Sequence, residues 1–159
     1  MAPSYCIELT AAERQRLLVI ARSSMRAGSR DSDEAPLHDG LTPALQERRG
    51  VFVTLTRNAR LRGCIGTLEP VAPLARAVAD SAHSAAFRDP RFPPMRLEEL
   101  EKITIEISVL TPTRPLAAAS REILLDRLRP GVDGLVLQDG RHRSTFLPKV
   151  WEQLPDPRD

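Results

Sequence analysis

The chain has 159 residues, 42% hydrophobic and 28% charged, a balance that suits one soluble globular domain, or a domain with a small lobe, and can bury a real core. A formal charge of +2 gives no general drive toward nucleic acid or an anionic membrane. No run approaches the ~18 consecutive apolar residues that a bilayer span needs.

Of the 23 basic residues only Lys102 and Lys149 are lysine. The rest are arginine, which makes planar, bidentate contacts with carboxylate and phosphate, although a coding bias explains the excess better. The first five residues carry no basic segment leading into an apolar run, so no secretory signal is expected. Cys6 and Cys64 are the only cysteines and are expected to be free thiols in a cytoplasmic protein.

In chain order, Thr10 and Glu13 have the spacing of a capping box, followed by an apolar stripe of Leu17, Leu18, Ile20 and Ala21. The spacing predicts a helix over 11–25. Residues 28–40 are polar and acidic and read as an exposed loop. Thr42 and Pro43 predict one helical turn over 42–46. The apolar, β-branched run 51–56 predicts a strand, and Asn58-Ala59 turns it into the next segment as a hairpin. Leu74, Ala77, Val78, Ser81, Ala82 and Ala85 lie on one helical stripe, so 73–87 is an amphipathic helix whose small residues permit close packing. Prolines end it at 89–94, in a connector that can also close over a site.

After a helical turn at 97–100, residues 103–109 alternate strictly between aliphatic and polar, the mark of an antiparallel strand with one buried and one wet face. Glu106 falls on the wet face. Ser120 caps a helix to about 128. Asp139-Gly140 predicts a hairpin between 134–138 and 142–146, and a last helical turn runs over 148–153. Helices and antiparallel strands are interspersed, so the class is α+β: an antiparallel sheet with flanking helices, with room for a second lobe and a cleft between them.

The segment Leu61-Arg62-Gly63-Cys64-Ile65-Gly66-Thr67 concentrates the chemistry. Glycines on both sides let other groups approach the backbone closely. Cys64 there is either a reactive, redox-active or metal-binding thiol or a small buried hydrophobe at a strand end. Arg62 can orient an anionic group or form a surface ion pair, and Gly63 and Gly66 can offer amides to a developing negative charge. Thr67 can donate to a ligand or satisfy the local backbone. His83 and His142 are possible partners for the thiol, and His38 lies in the polar loop. Thr145 and Lys149 carry a weaker signal for a groove. The spacings of closed zinc sites, phosphate-binding loops, dinucleotide fingerprints and nucleophile elbows are absent from the sequence.

The LRGCIGT run, with Gly50 to Leu55 before it, resembles the hallmark of the AMME-syndrome candidate-region domain family, called AmmeMemoRadiSam system protein A in bacteria and archaea. Ala85-Ala86-Phe87-Arg88-Asp89-Pro90-Arg91-Phe92, Ile105 to Leu110, Gly131 to Leu135 and Thr145 to Trp151 are similar to further family segments in the same order. The resemblance covers roughly residues 10–154. It implies a single domain over 1–159, an α+β fold and a cleft beside the hallmark, without an established reaction or cofactor. Memo-like and radical SAM proteins are the partners it implies. The family continues past Leu154, so the C-terminal end is expected to be truncated and Trp151 and Leu154 to be more exposed than in relatives.

These readings converge on an enzyme or enzyme component. Cys64 would be the catalytic thiol, and Arg62, Gly63, Gly66 and Thr67 would bind a small anionic substrate. A non-catalytic module for a protein or ligand is the alternative, and nucleic-acid binding is disfavoured by the near-neutral charge.

Overall fold

The computed structural model describes residues 9–28 and 40–152. Cys6, His38, residues 29–39 of the loop expected at 28–40, Gln153 and Leu154 lie outside them. The chain forms two compact units, 1–113 and 114–159.

In the first unit, helix α1 spans Ala11–Ala27, two residues longer than the spacing predicts. Its capping box forms as expected: Glu13 N–H donates to Thr10 Oγ1 at 3.2 Å, and Thr10 N–H donates to Glu13 Oε2 at 2.8 Å. These bonds satisfy amides that a helix start otherwise leaves open. A short helix α2, Pro43–Gln46, follows. The hydroxyl of its N-cap Thr42 does not cap; it donates to Glu13 Oε1 instead.

Strands β1 (Val51–Arg57) and β2 (Arg60–Thr67) form an antiparallel hairpin in which Arg57 faces Arg60, leaving Asn58-Ala59 as a two-residue turn. Both turn residues have positive φ, 51° and 60°. That geometry matches the right-handed twist of the two strands. Helix α3 spans Leu74–Phe87, and strand β3 spans Ile103–Val109 after a 3-10 turn over Leu97–Lys102. The sheet order is β2-β1-β3, all antiparallel, so β2 is an edge strand.

Strand alternation gives this sheet two unlike faces. Val51, Val53 and Leu55 are fully buried and join one core with Leu17, Ile20 and Ala21 of α1 and Leu74, Val78, Ala82 and Ala85 of α3. The many alanines of α3 keep its surface flat, which permits close approach to the hairpin. Ser24 Oγ donates to Ala79 O at 2.7 Å and ties α1 to α3. Arg22 donates to Leu100 O and Ile103 O at 3.0 and 3.2 Å and ties α1 to the start of β3. The opposite face carries Thr54 of β1, Cys64 of β2 and Glu106 of β3 in one row, because Thr54 faces Cys64 on one side and Glu106 on the other. Glu106 is exposed, as its place on the wet face predicts.

The second unit holds helix α4 (Arg121–Arg127), capped by Ser120, and the hairpin of β4 (Leu135–Asp139) and β5 (His142–Phe146). Gly140 has φ 55°, as the Asp-Gly turn requires. A 3-10 turn over Pro148–Glu152 follows. Neither α4 nor the hairpin strands bury a residue fully. Trp151 is half-buried, and its Nε1–H donates to Asp133 O at 2.7 Å.

Candidate functional site around Cys64

The hallmark is β2 itself, and tertiary packing explains much of its composition. A Cβ built on Gly63 would lie 2.1 Å from the Ala85 carbonyl oxygen of α3. Gly63 is therefore the point where helix backbone meets strand backbone. A Cβ on Gly66 would lie 2.1 Å from Val51 O and 2.5 Å from Phe52 Cα, so neighbouring β1 excludes a side chain there.

The register shifts between Leu55 and Thr56: Leu55 faces Gly63 but Thr56 faces Leu61, leaving Arg62 as the extra, bulged residue. A bulge re-aims its side chain. The guanidinium of Arg62 turns onto Glu99, donating from Nε at 3.1 Å and from Nη2 at 3.2 Å. Arg57 Nη1 donates to the same carboxylate at 3.1 Å. Arg62 first, and Arg57 with it, pull the Glu99 carboxyl down to about 2 against the opposing effect of burial.

Cys64 is a free thiol, half-buried on the polar face. Its Sγ lies 3.3 Å from Thr54 Oγ1, a contact in which either atom can donate. The sulfur thus sits beside a hydroxyl and outside the aliphatic layer between sheet and helices. The backbone of Cys64 points outward from the sheet edge, where a strand would pair if one were present. Its N–H instead donates to Asp89 Oδ2 at 2.9 Å, and its carbonyl accepts from Arg91 Nη2 at 3.0 Å. Two residues of the connector after α3 therefore replace one step of a strand ladder.

Asp89 is 4% exposed and also accepts from Arg91 N, Nε and Nη2 at 3.1, 2.9 and 2.7 Å. The Arg91 guanidinium holds the Asp89 carboxyl far below the ordinary carboxylate range; burial opposes this, and the Cys64 and Arg91 amides reinforce it. Asp89 in turn raises the pKa of Arg91, chiefly through their hydrogen bond and against the effect of burial. The Arg91 guanidinium carbon also lies 5.6 Å from the centre of the Phe92 ring.

The other sequence candidates fall elsewhere. Thr67 Oγ1 accepts from Glu69 N–H at 3.1 Å, so its hydroxyl satisfies the local backbone. His83 packs against Phe87, ring centres 5.1 Å apart; burial, then the charge of Arg88, lowers its pKa. His142 and Thr145 are exposed on β5 in the second unit, and the Lys149 side chain lies outside the described residues. The sequence marks Asp89 only as part of a connector that can close over a site, and it does not mark Glu99. An acidic residue beside a proline turn was the available signal for Asp89; nothing local marks Glu99 as the partner of an arginine 37 residues away. Among the described residues no group of three or more His, Cys, Asp or Glu side chains is placed to hold a metal ion, and no helix is long and apolar enough to cross a membrane.

An antiparallel sheet backed by two helices, with a thiol on its open face and a charged clamp on its edge strand, defines an α+β protein organised around the LRGCIGT strand. The chain belongs to the AMMECR1 family, whose model matches residues 18–158. A protein of Methanothermobacter thermautotrophicus is 46% identical over 138 residues, covering 87% of this chain and 72% of that protein. A Methanosarcina barkeri protein is 47% identical over 110 residues, covering 69% of this chain and 54% of its own length, so this chain spans little more than half of that relative. Among solved structures, the uncharacterized protein PH0010 of Pyrococcus horikoshii superposes with a TM-score of 0.78 at 35% identity, covering 87% of this chain and 70% of that one.

Proposed function

We propose that the chain is an enzyme or enzyme component that acts on a small anionic substrate at the LRGCIGT strand, with Cys64 as the reactive thiol. The observation that carries this reading is the setting of the sulfur: half-buried, 3.3 Å from a hydroxyl, and on a strand whose backbone is held rigid by Asp89 and Arg91. Reactive thiols sit in partly exposed surroundings that carry positive charge, and rigid elements fix them more accurately than loops do. Arg91 brings a guanidinium to the Cys64 carbonyl, paired there with the Asp89 carboxylate. Cys64 lies on the polar face of the sheet and is half-buried rather than sealed, so a ligand would approach from that face.

The test is alkylation of Cys64 by iodoacetamide in a Cys6→Ser background. The reading expects native protein to be labelled at Cys64 faster than the same chain in denaturant. It also expects Arg91→Gln to slow that labelling while the melting temperature of Cys64→Ser stays near that of the parent. Labelling that occurs only as fast as the protein unfolds would overturn it. A second reading, a non-catalytic ligand-binding module, is favoured by one specific observation: Gly63, Gly66 and Arg62 each have a packing or pairing partner within the fold. On that reading Cys64 is inert and anion binding persists without it.

A further inference from the structure

At the tip of the β1–β2 hairpin, Arg57, Asn58, Arg60, Leu61 and Arg62 line an open concavity of ≈ 480 Å³. Three arginines line it, and among the described residues Glu99 is the carboxylate paired with two of them, Arg57 and Arg62. That pairing is incomplete: Arg57 Nε and Arg62 Nη1 are buried without an acceptor. The Arg60 side chain is exposed and makes no ion pair or hydrogen bond among the described residues. Three positive charges against one negative charge leave the site two positive charges in excess.

We infer that this concavity binds the phosphate dianion of a small phosphomonoester, with Leu61 beside it for the apolar part of the same molecule. The charge excess matches a dianion, whereas a single carboxylate would leave one guanidinium uncompensated. Planar guanidinium forks suit the tetrahedral oxygens of phosphate. Leu61 is 45% exposed, unusual for a leucine beside three arginines, and gives the site an apolar wall. The inference rests on the proposed function only in assigning the ligand to this strand; the site itself needs no thiol chemistry. A nucleic acid is disfavoured because the net charge of the whole chain is only +2.

The test is calorimetric titration of the 159-residue chain with phenyl phosphate and with benzoate at low salt. Phenyl phosphate should bind at least about tenfold more tightly than benzoate, since a second charge-assisted contact is of that order. Arg60→Gln should weaken phenyl phosphate about tenfold with an unchanged melting temperature, and Arg60→Lys should weaken it less. Cys64→Ser should leave binding unchanged, so that loss of thiol reactivity and loss of the phosphate site are separate results. Equal binding of the two anions, no binding, or full affinity in Arg60→Gln would overturn the inference. Tighter, steeply salt-dependent binding of a single-stranded oligonucleotide than of phenyl phosphate would also overturn it, in favour of a nucleic-acid surface.

Discussion

Replacing Gly63 by alanine tests the closest approach in the fold. The new Cβ would lie 2.1 Å from Ala85 O and 3.0 Å from its carbonyl carbon, where ordinary contact begins at 3.4 Å. The strand and α3 must separate by about 1.3 Å at this point to accept one methyl group. Overpacking a well-packed interior costs about 1–3 kcal/mol. Here the obstacle is helix backbone, so no rotamer change relieves the clash and the upper end of that range applies. Alanine also restricts the unfolded chain, which returns about 0.4–1 kcal/mol. The net expectation is a loss of about 2–2.6 kcal/mol, or roughly 4–10 °C in melting temperature for a chain of this size. Urea unfolding followed by circular dichroism measures it, provided the slope of the transition is unchanged. A loss below about 0.5 kcal/mol, within the range of neutral surface substitutions, would refute the contact between α3 and β2 and with it the structural account of this glycine.

Two further predictions concern the charged clamps. Asp89→Asn keeps the shape of the side chain but removes the charge that holds Arg91, so it should destabilise by about 1.5–3 kcal/mol, the range for hydrogen bonds to charged groups; denaturant titration reads it, and a neutral result would mean that Arg91 is held by other means. Lowering the pH should weaken the first unit. Asp89 and Glu99 are depressed from 3.8 and 4.5, so their contribution is complete above those values and is lost as protons bind the folded form, for Glu99 through about 2. The urea midpoint should therefore fall steadily from pH 5 toward pH 2, and Glu99→Gln should flatten that slope; an identical slope in the variant would exclude Glu99 as a source.

Local chemistry made some elements legible and hid others. The capping box of α1, the small-residue stripe of α3, the alternation of β3 and the Asp-Gly turn of the last hairpin are each encoded within a few residues, and each forms where its pattern predicts. The glycines of the hallmark marked a place of close approach, but the sequence does not say what approaches. Gly63 meets α3 more than twenty residues onward, and Gly66 meets the preceding strand. Arg62 could be read as an anion binder or as an ion pair. The bulge at Leu55–Thr56 and a carboxylate on a distant 3-10 turn decide its immediate partner, and neither has a local signature. The Asp89 and Arg91 contacts to Cys64 are likewise invisible until the connector after α3 returns to the sheet edge.

The connector's two bonds to Cys64 bear on how this protein behaves in company. An outermost strand is a template on which another polypeptide can crystallise its own backbone, and a flat, glycine-bearing stretch is especially inviting. Here the invitation is withdrawn midway along: a buried carboxylate and a guanidinium occupy the donor and the acceptor that an incoming chain would need, and they bring a pair of charges that a foreign backbone would have to displace. Cys64 can thereby lie on a border strand while the border stays shut to fibril-like growth.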